Sequence, residues 1–354
     1  MNNRLYVDFH ILQTVPPSCV NRDDTGSPKT AVYGGLPRAR VSSQAWKRAM
    51  RLLFKNIFEQ DELGERTKMV QDTIAQSIRE KNGALSPEEA GKLAADALKN
   101  ADIKNDKDGK TDVLFFISKK QTDALADLAL AGETDKKAYK AAIKELPSVD
   151  MVLFGRMVAS DPSLSYDAAV QVAHSISTHA AQTEFDYFTA VDDRAPEDNA
   201  GAGHLGTVEF NSSTLYRYAA VNVLELAQQL GAAQAVEAVR GFAEAMVCSM
   251  PTGKQNSFAN RTLPYAVYVA VRHDQPVNLC GAFEKAVPAS PDGYEEPSAK
   301  RLCDYADELY HTFAAPPAAA FTIGKTVEKL GQSGSLPALL DWLSETLAAD
   351  GGLA

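Results

Sequence analysis

The sequence predicts an α+β fold, and three observations predict it. An alternating apolar run opens the chain, helical periodicity dominates a Lys, Asp, Glu and Ala-rich stretch over residues 60–150, and further strand-like runs are separated by helices with no internal repeat. A length of 354 residues allows one large domain or two, with an ample core. Hydrophobic content of 45% and charged content of 23% are ordinary for a soluble globular protein. No segment approaches the ~18 uninterrupted apolar residues that a membrane helix needs. The opening residues, MNNRLYVDFH, place Asp8 and His10 inside the apolar stretch where a signal peptide would have its core. Cys19, Cys248, Cys280 and Cys303 are scattered without a CxxC pair. A cytoplasmic protein with reduced thiols and no membrane partner is therefore expected.

Taken in order, Leu5, Val7, Phe9 and Ile11 alternate with Tyr6, Asp8, His10 and Leu12, which predicts a half-buried strand ended by Pro16-Pro17. A long loop and a basic helix follow. Helices are expected over 66–81, 87–100, 121–130 and 135–145, interrupted by the apolar Val113–Ile117 and closed by Pro147, as a helical insertion. Val149–Met157 reads as a buried strand and Tyr166–Ser177 as a helix. A polar, loop-rich stretch runs from Thr178 to about Ser213. Leu215–Val223 is strand-like, Leu224–Met250 helical and Leu263–Val271 a strand, with terminal helices near 298–313 and 336–348.

The segment from Arg22 to Lys55 carries the strongest functional signal. It holds eight Lys/Arg against Asp23 and Asp24, a local charge of +6 in a chain of net −10. That contrast predicts a localised anion-binding surface rather than a generally sticky protein. Ser42 and Ser43 follow the extended Arg38–Val41 and sit where a helix begins, so a serine cap and free backbone N–H groups are expected there. Trp46, Met50, Leu53 and Ile57 predict the buried stripe of that helix, while Lys47, Arg51 and Lys55 line another face. A row of cations beside a helix start suits a spaced line of phosphates. The plain alternative is a solvated helix face.

Other patterns are weaker. Gly201-Ala202-Gly203-His204-Leu205-Gly206 matches GxGxxG, yet neither flank supplies the strand and helix of a dinucleotide fingerprint, so a hairpin or loop is the better reading. Asp23-Asp24 and Asp192-Asp193 suit turns and arginine partners better than a divalent ion. His174 and His179 have the wrong spacing to share a metal on one helix face. No HExxH, P-loop, GxSxG or zinc spacing occurs, and neither a catalytic constellation nor a cofactor or metal site is expected. Phe185, Tyr187 and Phe188, with Thr189, lie in a polar region and suit either base stacking or a small satellite core.

Ordered blocks along the chain carry a resemblance. They are Asn21-Arg22-Asp23-Asp24, Pro28 to Gly35, Arg38 to Gln44, Lys47-Arg48-Ala49, Gly155-Arg156-Met157, Phe188 to Asp193, His204 to Thr207, Glu209-Phe210 and Tyr216-Arg217-Tyr218. Together they resemble the CasC-type backbone subunit of type I-E CRISPR Cascade over most of the chain, with residues 60–146 and the tail after about 285 contributing little. The resemblance implies a modified RNA-recognition (ferredoxin-like) palm, a helical fingers insertion and a β-hairpin thumb. On it the palm comprises 1–59, 149–184 and 217–354, the fingers 60–148 and the thumb 185–216.

The implied function is a non-catalytic subunit that polymerises along a CRISPR RNA and leaves guide segments available to pair with target DNA. Implied partners are that RNA, the paired DNA, neighbouring copies, and the large, small, end-capping and guide-processing subunits. By the same resemblance Arg22, Lys29, Ser42, Gln44, Lys47 and Arg51 hold the guide backbone, with Arg38 and Arg40 retained as cations and Lys254 in a GKQ loop as a further contact. Met157 resembles a wedge between bases, and Tyr187, Phe188 and Thr189 match thumb positions beside it. Two departures stand out. Leu36-Pro37 follow Gly34-Gly35 where a basic residue is frequent, and Tyr187 replaces a familiar tryptophan. The competing readings are a nuclease of the same superfamily, using Asp192, Asp193 or a histidine, and a protein that binds only protein partners.

Overall fold

The computed structural model describes residues 4–106, 108–158, 161–190, 193–194 and 204–353. The chain divides into two compact units. The first comprises Met1–Leu52, Val172–Val221 and Phe242–Gly352, and the second Leu53–Gln171, Asn222–Gly241 and Leu353–Ala354.

A large mixed sheet organises the first unit, which makes the fold α+β. Its strands lie in the order Gln332–Ser333, Ala319–Ile323, Ala266–Arg272, Tyr6–Ser18, His204–Asn222, Ser175–Ser177, Leu36–Val41, Thr30–Tyr33. The first strand pairs antiparallel with Ala266–Arg272, from Tyr6 opposite Arg272 to Leu12 opposite Ala266. Its alternation predicts a half-buried strand, but it is buried on both faces. Phe9 meets Phe242 edge-on at 5.4 Å on one side. On the other, Leu12 packs with Tyr216, Tyr218, Tyr268, Leu302 and Phe283 under the helix Glu295–Thr312. Asp8 and His10 are therefore interior groups. The strand also runs through Pro16-Pro17 to Ser18. Its ladder to Ala266–Arg272 has ended by Leu12, so those prolines remove no donor from that ladder.

Four helices, Val70–Lys81, Pro87–Asn100, Lys119–Leu130 and Lys136–Lys144, build the core of the second unit beside the paired strands Gly64–Thr67 and Phe115–Ser118. Val70, Ile74 and Ile78 recur at helical spacing and pack against Ala90, Ala94, Leu98, Leu125 and Ile143. Ser86 with Glu89, and Ser118 with Gln121, form capping boxes that fix where two of these helices start.

Two expected elements differ in type. Val149–Phe154 is a helix, not a strand, and every one of its residues is buried. An apolar run buried all round has no period to distinguish the two. Ser148 starts it by accepting the Met151 and Val152 N–H groups, and Gly155, at φ 79°, ends it. Tyr166–Ser177 is extended, not helical: Arg156 bridges Tyr166, and Val170–Val172 and Ser175–Ser177 are strands. The partners that make Ser175–Ser177 a strand, Arg40–Val41 and Leu215–Tyr216, are distant in sequence. The polar stretch after Thr178 is also more regular than expected, because Glu184–Ala190 pairs antiparallel with His204–Phe210 as a hairpin.

Candidate nucleic-acid interface

In the first unit the basic segment is a strand-loop-helix arrangement held by Asn21. The Asn21 side-chain oxygen accepts the Ser42 N–H at 2.9 Å, and its backbone oxygen accepts the Lys29 N–H at 2.8 Å. The loop between is folded on Asp23, whose Oδ1 accepts the Thr25 hydroxyl at 2.7 Å and the Thr25 and Ser27 N–H groups at 3.0 Å. These bonds, the Thr25 hydroxyl foremost, hold its carboxyl below the usual range. Asp23 thus shapes the loop as an Asx-type turn. Among the described residues no cluster of three metal-ligating side chains occurs.

Ser42 caps the helix Ser43–Phe54, its hydroxyl accepting the Ala45 N–H at 3.3 Å. The first-turn N–H groups of any helix lack internal acceptors and face an incoming anion. Trp46 anchors the helix: it is buried and donates from Nε1 to the Ser175 hydroxyl at 2.8 Å. Gln44 and Arg48 are exposed, and Lys47 and Arg51 are half-exposed. The helix ends at Phe54, so Lys55 lies in the following turn and does not extend the row of cations along the helix.

Of the two arginines before the helix, only Arg40 reaches the surface. Arg38 is expected among the phosphate contacts, but it is 0% exposed. Its Nη1 donates to Ser177 O at 2.9 Å and its Nη2 to Phe283 O and Glu284 O at 2.9 and 3.1 Å. The segment Leu279–Phe283 supplies that cover, so Arg38 is a structural cation without a path to an external phosphate. Arg40 donates from Nε to Thr30 O at 3.0 Å and approaches His174 Nδ1 at 3.1 Å.

Lys254 joins this surface from far along the chain. It occupies a left-handed conformation (φ 45°, ψ 26°) that precedes the short helix Gln255–Phe258. A non-glycine residue there is held by its surroundings. Gly253 beside it is pressed against the chain, since a Cβ would come within 2.0 Å of Val20 O. The charges of Lys254 and Arg22 both act on the buried Cys19 thiol, whose pKa burial raises. A hollow of about 490 Å³, lined by Val20, Arg22, Thr25 and Gly253 among others, separates the Asp23 loop from this turn. Arg22, Lys29, Arg40, Ser42, Gln44, Lys47, Arg51 and Lys254 therefore all belong to one unit.

The hairpin presents the expected aromatics on opposite faces. Phe185, Tyr187 and Thr189 alternate with Asp186 and Phe188, so they share a face that Phe188 does not. Phe185 and Tyr187 are 66% and 64% exposed. Phe188 lies across its partner Gly206, where a Cβ would meet the Phe188 ring at 2.4 Å. Asp192 and Gly201-Ala202-Gly203 lie outside the described residues.

Met157 belongs to the second unit and is 87% exposed. Its neighbour Arg156 is buried and donates to Leu164 O, Phe116 O and Ile143 O. Burial lowers the Arg156 pKa to about 10, which leaves it charged. A fixed arginine thus holds out an exposed apolar side chain in the next position.

Sequence reasoning named Asn21, Arg217 and His174 but gave none of them a role at this surface. Asn21 precedes Arg22 and is a strong side-chain acceptor, a signal available for a cap. Arg217 lies between Tyr216 and Tyr218 in a strand, and no local pattern ties it to Trp46.

A family model described as CT1975-like protein matches residues 7–342 of this sequence. A subunit of a solved structure entitled "CRISPR RNA-guided surveillance complex, pre-nicking" is 34% identical, with a TM-score of 0.84 over 97% of this chain and 100% of that one. A second, from "CRISPR RNA-guided surveillance complex", is 32% identical, with a TM-score of 0.64 over 96% of this chain and 99% of that one. No curated protein matches the chain. Among the described residues, no helix is long and apolar enough to cross a membrane.

Proposed function

The chain belongs to the CT1975-like protein family, and from that premise we propose that it is the guide-binding backbone subunit of a type I-E CRISPR surveillance complex. In this reading it is a cytoplasmic, non-catalytic protein. Copies polymerise along one CRISPR RNA, hold its phosphates and display guide segments for pairing with target DNA, beside large, small, end-capping and guide-processing subunits. The sheet is read as a modified RNA-recognition palm, the helical second unit as bearing the fingers, and the hairpin as the thumb.

The observation that carries this reading is the convergence of Arg22, Lys29, Arg40 and Lys254 with a capped helix start on one unit of an acidic protein. Contacts of that kind position a backbone without reading its sequence, which suits a protein that must accept any guide. Asp23, which lies beside these cations in the chain, is committed to folding its loop, and Asp192, which the nuclease reading would use, lies outside the described residues.

The test is co-expression with a CRISPR array and the partner subunits. Bound RNA protected in regularly spaced steps is the expected outcome. Complexes that assemble without RNA would overturn the reading.

A further inference from the structure

Arg40 and Ile176 are cross-strand partners, so His174, two residues before Ile176, is the diagonal neighbour of Arg40. Long side chains reach such diagonal positions. The Arg40 Nη1 to His174 Nδ1 distance is 3.1 Å. A guanidinium can only donate, so Nδ1 is the acceptor and the proton of the neutral ring sits on Nε2.

The neighbours of that ring are fixed and cationic. Arg40 is tied by Nε to Thr30 O and by its backbone N–H to Lys29 O at 2.9 Å, and Lys29 is tied by its backbone to Asn21. Burial first, then the charges of Arg40 and Lys29, hold the imidazole pKa below its usual value, and no carboxylate is among the groups acting on it. The ring is exposed, so its Nε2–H faces outward beside two cations.

We propose that His174, as the neutral Nε2–H tautomer, is a further contact to the RNA backbone, donating to a phosphodiester oxygen that Lys29 and Arg40 attract. The inference rests on the guide-binding reading above. Lys29 and Arg40 supply charge, while His174 supplies a further, uncharged donor beside them. A neutral donor releases no counterion, so its contribution adds affinity without adding to the salt dependence.

The experiment titrates the full-length protein, freed of RNA, with a fluorescently labelled single-stranded RNA of mixed sequence. Wild type is compared with His174→Asn, His174→Gln and Arg40→Ala over a range of salt. Asparagine keeps an acceptor where Nδ1 sits but loses the outer donor, whereas glutamine places an N–H near Nε2. The expected result is roughly tenfold weaker binding for His174→Asn at unchanged salt slope, with most of the loss restored by His174→Gln. Arg40→Ala should weaken binding and lower the slope by about 0.7. Asparagine binding like wild type with glutamine weak would make the ring a mere support for Arg40 and overturn the proposal. Equal affinity of all three His174 forms would overturn it too. Wild-type protein that binds no RNA even with its partner subunits would instead sink the guide-binding reading itself.

Discussion

The indole of Trp46 lies over the guanidinium of Arg217, with 3.7 Å from the Arg217 Cζ to the ring centroid. Arg217 is fully buried there, donating from Nη1 to Gln13 Oε1 at 2.6 Å and from Nη2 to Met246 O. Burial lowers its pKa to about 9, so it remains a cation at neutral pH. The basic helix is thus seated on an interior charge, which the Gln13 and Met246 acceptors and the aromatic face together make tolerable.

Trp46→Phe is expected to weaken this seat. The ring remains, but the Nε1–H bond to Ser175 is lost and the cation meets a poorer π-face. A loss of about 1–2 kcal/mol is expected, read as a lower urea midpoint at unchanged m-value. An unchanged midpoint would mean that Arg217 does not depend on the indole.

Asp8 should give the protein an unusual pH dependence. Burial raises its pKa to about 7, although Tyr218 and the Val277 N–H both donate to it at 2.9 Å. A carboxyl whose folded pKa lies above its unfolded value stabilises the fold below the unfolded pKa. That contribution is lost as pH rises through about 7. His10, lowered to about 3 by burial and by Arg272, has the opposite sign: its contribution is present above its unfolded pKa and is lost as pH falls. In Asp8→Asn the amide oxygen can still accept the Val277 N–H while the amide nitrogen donates to the Tyr218 hydroxyl, so the second bond reverses direction and the charge is removed. The variant should gain on wild type, on the order of a few kcal/mol, between pH 4 and pH 8. Parallel stability curves for the two proteins over that range would refute a raised Asp8 pKa.

Gly206 and Phe188 give a local test of the hairpin. Gly206→Ala would drive a methyl into the Phe188 ring. Phe188 lies on a strand exposed along its whole length, so the expected effect is confined to the hairpin. Limited proteolysis should cut the hairpin of Gly206→Ala about tenfold faster while the urea midpoint stays within about 0.5 kcal/mol of wild type. Adding Phe188→Ala, which makes room for the methyl, should slow cleavage relative to Gly206→Ala alone. No rescue would show that the pair does not couple.

What the sequence made legible follows from where each instruction is written. The helix Pro87–Asn100 is specified within a few residues by Ser86, Pro87, Glu89 and an apolar stripe, and its bounds match those the sequence predicts. The start of the basic helix at Ser42-Ser43 is legible for the same reason. Val149–Phe154 is not, because burial on every side erases the period that separates helix from strand. The hairpin reads as loop because its strand Glu184–Ala190 is exposed along its whole length and so carries no buried face to mark it. The cover over Arg38 comes from residues 245 and 246 positions away, beyond any local pattern. Arg38 and Arg40 share a strand face by alternation, and only that distant segment gives them different fates.

That difference can be measured, and it separates holding RNA from holding the fold. Lys47→Glu with Arg51→Glu is expected to weaken guide binding by the same factor for unrelated RNA sequences, because phosphate contacts carry no base information. Its salt slope should fall by about 0.7 for each phosphate no longer neutralised on a single strand. Arg38→Ala should behave in the opposite way. Three carbonyl oxygens lose their donors in a closed interior, so stability should drop by about 3 kcal/mol in urea unfolding. The fraction that remains folded should bind RNA with the wild-type salt slope. A reduced slope for Arg38→Ala would return this residue to the phosphate surface, and a sequence-dependent loss for Lys47→Glu with Arg51→Glu would show that the helix reads bases.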